Sequence, residues 1–164
     1  MSTIKTSDAT ERDALCAFLD KQRDALIRKI EGVSDADARK TPTVSSLSLL
    51  NLIKHSAVWE RRWFQIIFDG RDFPDEWPTV EEDEDSDFYL GDDDTVESLL
   101  AYYAEQAAVS REISRTADLD RPCARPRMVD RDLRWVLLHM IEETARHAGH
   151  ADIIRETLDG SRGI

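Results

Sequence analysis

Apolar residues recur at helical spacing in four stretches of the chain, and nearly all the proline lies between them. The first stretch runs from about Thr10 to Glu31, with Leu15, Phe18, Leu19, Leu26, Ile27 and Ile30 on one broad face and Gly32 placed to end it. The second opens near Ser45 or Ser46, either able to cap a helix, and carries Leu49, Leu52, Ile53, Trp59, Trp63, Phe64, Ile66 and Ile67 as far as Gly70. In the third, Thr95 is placed to cap, the acidic run Asp92 to Asp94 suits the positive end of the helix dipole, and the pattern continues through Leu99, Leu100, Tyr103 and Ile113 to about Thr116. The fourth begins near Asp130 or Asp132 and includes Trp135, Val136, Leu138, Met140, Ile141, Ile153, Ile154 and Leu158 before Gly160. No run alternates apolar and polar positions long enough to predict a strand, so the pattern predicts an all-α four-helix bundle.

The links between the helices differ in length. The link over 71–94 is the longest and permits a crossover connection. It is rich in carboxylates, but it does not fit the calcium loop of an EF-hand, because Phe88 stands where a loop starting at Asp83 needs its turn glycine. It reads as a solvated loop whose aromatic residues Trp77, Phe88 and Tyr89 fold back over one end of the bundle.

Composition narrows the function. At 164 residues the chain suits one domain, spanning residues 1–164. A net charge of -12 repels phosphate backbones and anionic membranes, and the densest basic stretches are broken by apolar or acidic residues, so neither nucleic acid nor a membrane is the expected partner. Cys16 and Cys123 form no CxxC motif or disulfide framework. With no signal-like or bilayer-length apolar run, the expected location is the cytoplasm.

Three of the four histidines crowd into "HMIEETARHAGHAD", residues 139 to 152. His139, Glu143 and His147 follow one another at intervals of four and so share one helical stripe, continued by Val136 before and by His150 and Ile154 after. Val136, Met140 and Ile154 make that stripe core-facing, and polar groups on such a face need partners. The second helix adds His55 on its apolar side, between Leu52 and Trp59. An imidazole and a carboxylate four apart, joined by an imidazole from a neighbouring helix, can supply three ligands to a divalent cation and leave positions open for water or substrate. The structural alternative has Glu143 hydrogen-bonded to His139 or His147, or paired with Arg146.

The segments "LLNLIKHSAVWERRWF" and "LLHMIEETARHAGHADIIRETLDG", set in a four-helix layout, resemble the DinB-like superfamily. Within it they resemble the DUF664 branch of unknown function and the metal-binding domain of mycothiol-dependent maleylpyruvate isomerase. The resemblance implies an up-down-down-up bundle with a metal held by a second-helix histidine and two last-helix residues four apart. Carried onto this chain, those ligands are His55, Glu143 and His147, with His139 and His150 left to line the pocket or support the ligands. Many relatives have histidine in place of Glu143, and the isomerase shares the glutamate. The ion expected is Zn, with Ni, Fe or Mn compatible with the same donors.

The implied chemistry is thiol-dependent S-transfer or isomerisation. A low-molecular-weight thiol such as mycothiol or bacillithiol is bound as thiolate and attacks a small electrophile. Arg61, Arg62 and Arg146 are candidate anchors for acidic substrate groups. The isomerase carries a further C-terminal domain, so its own substrate is not carried over. Two other functions fit the same residues, a non-catalytic metal-binding or stress-response module and a metal-dependent hydrolase. A homodimer is the oligomer expected for such a bundle.

Overall fold

The computed structural model of the chain describes residues 10–72 and 88–162. It contains α1 (Glu11–Ile30), a single turn α2 (Asp35–Ala38), α3 (Leu49–Glu60), which continues without a break as a π-helical segment (Arg61–Phe68), then α4 (Val96–Thr116) and α5 (Leu133–Asp159). The protein is all-α, as the periodicity predicts, with α2 an addition to the four expected helices.

Caps set the helix starts. Thr10 and Asp13 close a capping box on α1, Thr95 and Ser98 do so on α4, and the Asp132 carboxylate accepts from the Trp135 amide to open α5. The second helix starts later than its serines suggest. Ser48 is the cap rather than Ser45 or Ser46, because Ser48 and Asn51 exchange hydrogen bonds of 2.9 and 3.1 Å and leave residues 45–46 in the preceding bend. Gly160 ends α5 at φ +77°, a conformation that needs no Cβ.

Ion pairs and polar contacts give the direction of each helix. α1 meets α5 through Glu11–Arg134 near their starts and Lys29–Asp152 near their ends, so the two run parallel. α3 and α4 also run parallel, with Lys54 bonded to Asp94 near the start of both and Gln65 bonded to Gln106 further along. Leu26 and Ile30 of α1 pack with Leu49 to Ile53 of α3, whereas Leu19 packs with Trp63 and Phe64, so α1 and α3 are antiparallel. This is an up-down-down-up bundle. Because α3 and α4 point the same way, the chain must cross the length of the bundle between them, which accounts for the long acidic link. Most of that link, including Asp83 and Trp77, lies outside the described residues.

The core has two apolar ends. One is built on Leu26, Leu50, Leu52, Ile53, Tyr103 and Ile154, the other on Leu19, Phe64, Phe68, Leu133, Val136 and Met140. Buried polar residues, among them Arg23, His55, Ser56, Glu60, Gln106, Ser110, Thr144 and His147, lie along the helices between them. The π segment explains how a helix can bury every residue from Arg62 to Phe68, since its wider turn shifts the register of a single apolar stripe. Its end is held by the link before α5, where the Ala124 and Arg125 amides donate to the Phe68 and Ile67 carbonyls. Gly70 faces that link so closely that a Cβ would stand 2.9 Å from the Ala124 Cβ.

Candidate metal centre

α5 is long enough to carry the whole histidine stripe past the middle of the bundle, and α3 brings His55 against it. One ligand-type atom each from His55, Glu143 and His147 lies within 4.8 Å of the other two. Tetrahedral coordination at ordinary bond lengths sets ligand atoms about 3.4 Å apart, so small side-chain rotations suffice to close the set around an ion. His55 and His147 are 5% and 8% exposed, and Glu143 is partly buried at the edge.

The imidazoles are poorly served by the protein itself. Among the described residues, His55 Nδ1 and both ring nitrogens of His147 are buried without a hydrogen-bond partner. Burial holds both rings neutral: it lowers His55 to about 3, assisted by the nearby His147 and Arg62, and His147 to about 4, assisted by His150 and Arg146. Neutral imidazoles with uncommitted nitrogens are the form a metal requires, whereas a structural histidine normally satisfies them. The donor set therefore fits a divalent cation of the zinc type.

Glu143 is held from outside. Arg146 Nη1 donates to its Oε1 at 2.7 Å and Nη2 reaches Glu142 at 2.8 Å, while Oε2 faces His147 Nε2 at 3.6 Å, too far for a hydrogen bond. One carboxylate oxygen is thus fixed by the guanidinium and the other is turned toward the imidazoles. The Arg146 pairing foreseen as a structural alternative is present, and it coexists with the three-residue cluster.

The remaining candidates separate. His139 does not join the cluster. Its ring stacks on Trp135 at 5.0 Å and 8°, with Trp63 at 4.3 Å and Trp59 at 5.9 Å, and its Nε2 is buried without a partner among the described residues. His150 lies half-buried with its ring 5.8 Å from that of His147. Of the three arginines considered as anchors, Arg62 is buried beside His55, Arg61 is partly buried, and Arg146 is engaged by the two glutamates.

The sequence leads us to expect Phe88 to fold back over one end of the bundle, but not to lie against a candidate ligand. Phe88 stacks on the His55 ring at 4.2 Å and 9°, and the Trp59 ring stands 4.9 Å from that of His55, tilted by 38°. The spacing of Trp59, Trp63, Trp135 and His139, four apart in each helix, was the available signal. It did not reveal that the two helices bring these rings together.

Comparison with known proteins bears on family and fold. The family model described as Mycothiol-S-transferase matches residues 14–160. No curated protein matches. A solved structure titled as the conserved protein of locus from Enterococcus faecalis superposes with a TM-score of 0.66 at 15% identity, covering 94% of this chain and 100% of that one. At that identity the likeness concerns the fold alone, an all-helical bundle. The sequence match spans the capped helices and the His55, Glu143 and His147 positions, and by it the chain belongs to the mycothiol-S-transferase family, a DinB-like family.

Proposed function

We propose that the protein is a metal-dependent thiol S-transferase, in which His55, Glu143 and His147 hold a divalent ion, zinc for preference, and a low-molecular-weight thiol is joined to a small electrophile. The observation that carries this reading is the meeting of two buried, neutral imidazoles with uncommitted nitrogens and one carboxylate within 4.8 Å, in a chain of a family described by thiol transfer. A divalent ion held there would supply Lewis-acid chemistry that favours the thiolate form of a bound thiol at neutral pH.

The protein's own residues do the rest. Two neutral imidazoles and one carboxylate leave a formal charge of +1 on a divalent ion, which favours an incoming anionic sulfur. Arg146 orients Glu143 from the rim without entering the cluster. Phe88 and Trp59 cover the His55 ring and keep water from its faces, which strengthens electrostatic interactions inside. Mycothiol is the thiol named by the family, with bacillithiol as the alternative, and free Cys16 and Cys123 accord with a reducing cytoplasm. No described helix is long and apolar enough to cross a membrane. The domain proposed is a single bundle covering the chain.

The test is conjugate formation by metal-loaded protein with mycothiol, bacillithiol and water offered in parallel as acceptors of one alkylating electrophile. Metal-dependent thioether formation is expected. Turnover with water alone makes the protein a hydrolase, and no turnover with any acceptor leaves a non-catalytic metal-binding module.

A further inference from the structure

A cleft of about 520 Å³ opens beside the start of α3, lined on one side by Arg39, Thr41, Ser46 and Asn51 and on the other by Phe88 and Tyr89. Its volume is that of a small-molecule site. We infer that this cleft receives the polyhydroxylated body of the thiol whose sulfur is delivered to His55, Glu143 and His147. The inference rests on the S-transfer reading and adds to it the place and chemistry of thiol recognition.

Position comes first. Asn51, which lines the cleft, lies one helical turn, about 6 Å, before His55 on the same side of α3. Phe88 is a wall shared by both, lining the cleft while its ring stacks on His55 at 4.2 Å. Phe88 thus joins the cleft to His55, which does not itself line it, and on this inference the thiol arm of a molecule lying in the cleft passes that ring to reach the cluster.

The far wall is anchored. Lys54 donates to the Tyr89 carbonyl at 2.7 Å and to Asp94 at 2.8 Å, and Arg39 Nη2 donates to the Gly91 carbonyl at 2.7 Å and to that of Asp94. Two cations from separate elements thus tie residues 89–94 down opposite Thr41 and Ser46.

Chemistry selects the ligand. The Thr41 and Ser46 hydroxyls have no hydrogen-bond partner among the described residues, and each offers a donor and acceptors. Arg39 supplies further donors from the part of its guanidinium not bound to the two carbonyls. Hydroxyls, one guanidinium and an aromatic face suit a sugar-like molecule. A multiply charged anion is poorly matched to one arginine in a protein of net charge -12.

The experiment titrates zinc-loaded protein with mycothiol and with N-acetylcysteine, which presents the thiol without the polyol body, and measures zinc content of every variant. Wild type is expected to bind mycothiol about tenfold or more tighter than N-acetylcysteine. Ser46→Phe, which fills the cleft, should erase that preference and leave zinc content and N-acetylcysteine affinity intact; the double variant Thr41→Val, Ser46→Ala should weaken it if the phenylalanine variant does not fold. Unchanged preference in the variants overturns the inference while leaving the S-transfer reading in place. Binding of neither thiol by zinc-loaded wild type defeats the S-transfer reading itself. A preference for an anionic thiol such as glutathione that is lost in Arg39→Gln would show that the cleft reads charge, and would overturn the polyol assignment.

Discussion

Two buried polar clusters lie on different sides of α3, and they are built to opposite rules. Arg23 and Glu60, 2% and 0% exposed, satisfy each other through paired bonds of 2.7 and 2.8 Å, and Arg23 makes a third bond to Asp20 at 2.8 Å. Burial works against the Arg23 charge, but the adjoining Glu60 carboxylate outweighs it and holds the guanidinium more firmly protonated than usual. On another face of the helix, His55 and His147 are equally hidden and have buried nitrogens with no partner among the described residues. The first cluster completes itself and reads as architecture, whereas the second presents uncommitted donors of the kind that could hold a divalent metal. The Tyr103 hydroxyl beside Glu60 is the exception on the satisfied side, buried and unpartnered.

The comparison breaks most readily at Glu60. Glu60→Ala leaves Arg23 buried without its carboxylate and should cost about 3–5 kcal/mol of stability in urea unfolding. His147→Ala, measured on metal-free protein, should cost far less. Equal losses would mean that the histidine cluster is also structural.

Metal content tests the other half. His55→Ala, Glu143→Ala and His147→Ala should each reduce occupancy from about one ion per chain to little or none by elemental analysis. Retention in all three would overturn the ligand assignment, and Glu60→Gln, where it folds, should keep its ion.

Acid sharpens the contrast further. His55 and His147 protonate near 6.5 in the unfolded chain but only at about 3 and about 4 in the folded, metal-free protein, so below pH 6.5 the unfolded state binds the additional protons. Folding stability should therefore fall as pH drops from 6.5 toward 4, by up to about 1.4 kcal/mol per pH unit for each imidazole. The slope from these two groups fades out about one pH unit above 6.5, where the unfolded imidazoles have lost their protons as well. Chemical denaturation of wild type and of His55→Gln across that window measures it, and identical slopes would show that His55 is not held neutral by the fold.

The smallest effect is expected at Arg146, which is about half exposed. Arg146→Gln frees Glu143 Oε1 and should weaken metal affinity by about tenfold in a chelator competition, with little change in metal-free stability. A loss of stability without a loss of affinity would make the Arg146–Glu143 pair a surface contact only.

Much of this was legible in the sequence, for reasons that differ by residue. The start of α4 followed from Thr95 and the end of α5 from Gly160, because capping is local chemistry between residues a few positions apart, and the start of α1 near Thr10 followed from the apolar period. The stripe His139, Glu143, His147 followed from helical periodicity alone. The choice of Ser48 over Ser45 or Ser46 did not, since three serines in four positions offer nearly equivalent caps and the Ser48–Asn51 exchange decides between them. The π segment was equally hidden, because seven consecutive buried residues carry no period.

What the sequence determined by itself was the set of helices, their polar and apolar faces, and the presence of ionisable groups on a core-facing stripe, all consequences of short-range spacing. Only the tertiary structure decided which of those groups meet. Helix direction and rotation bring His55 to Glu143 and His147 while His139, on the same stripe, is enclosed by Trp59, Trp63 and Trp135. Contacts such as those of Trp59 with His139 and of His55 with His147 join residues about eighty to ninety positions apart, and their register is set by the packing of two whole helix surfaces.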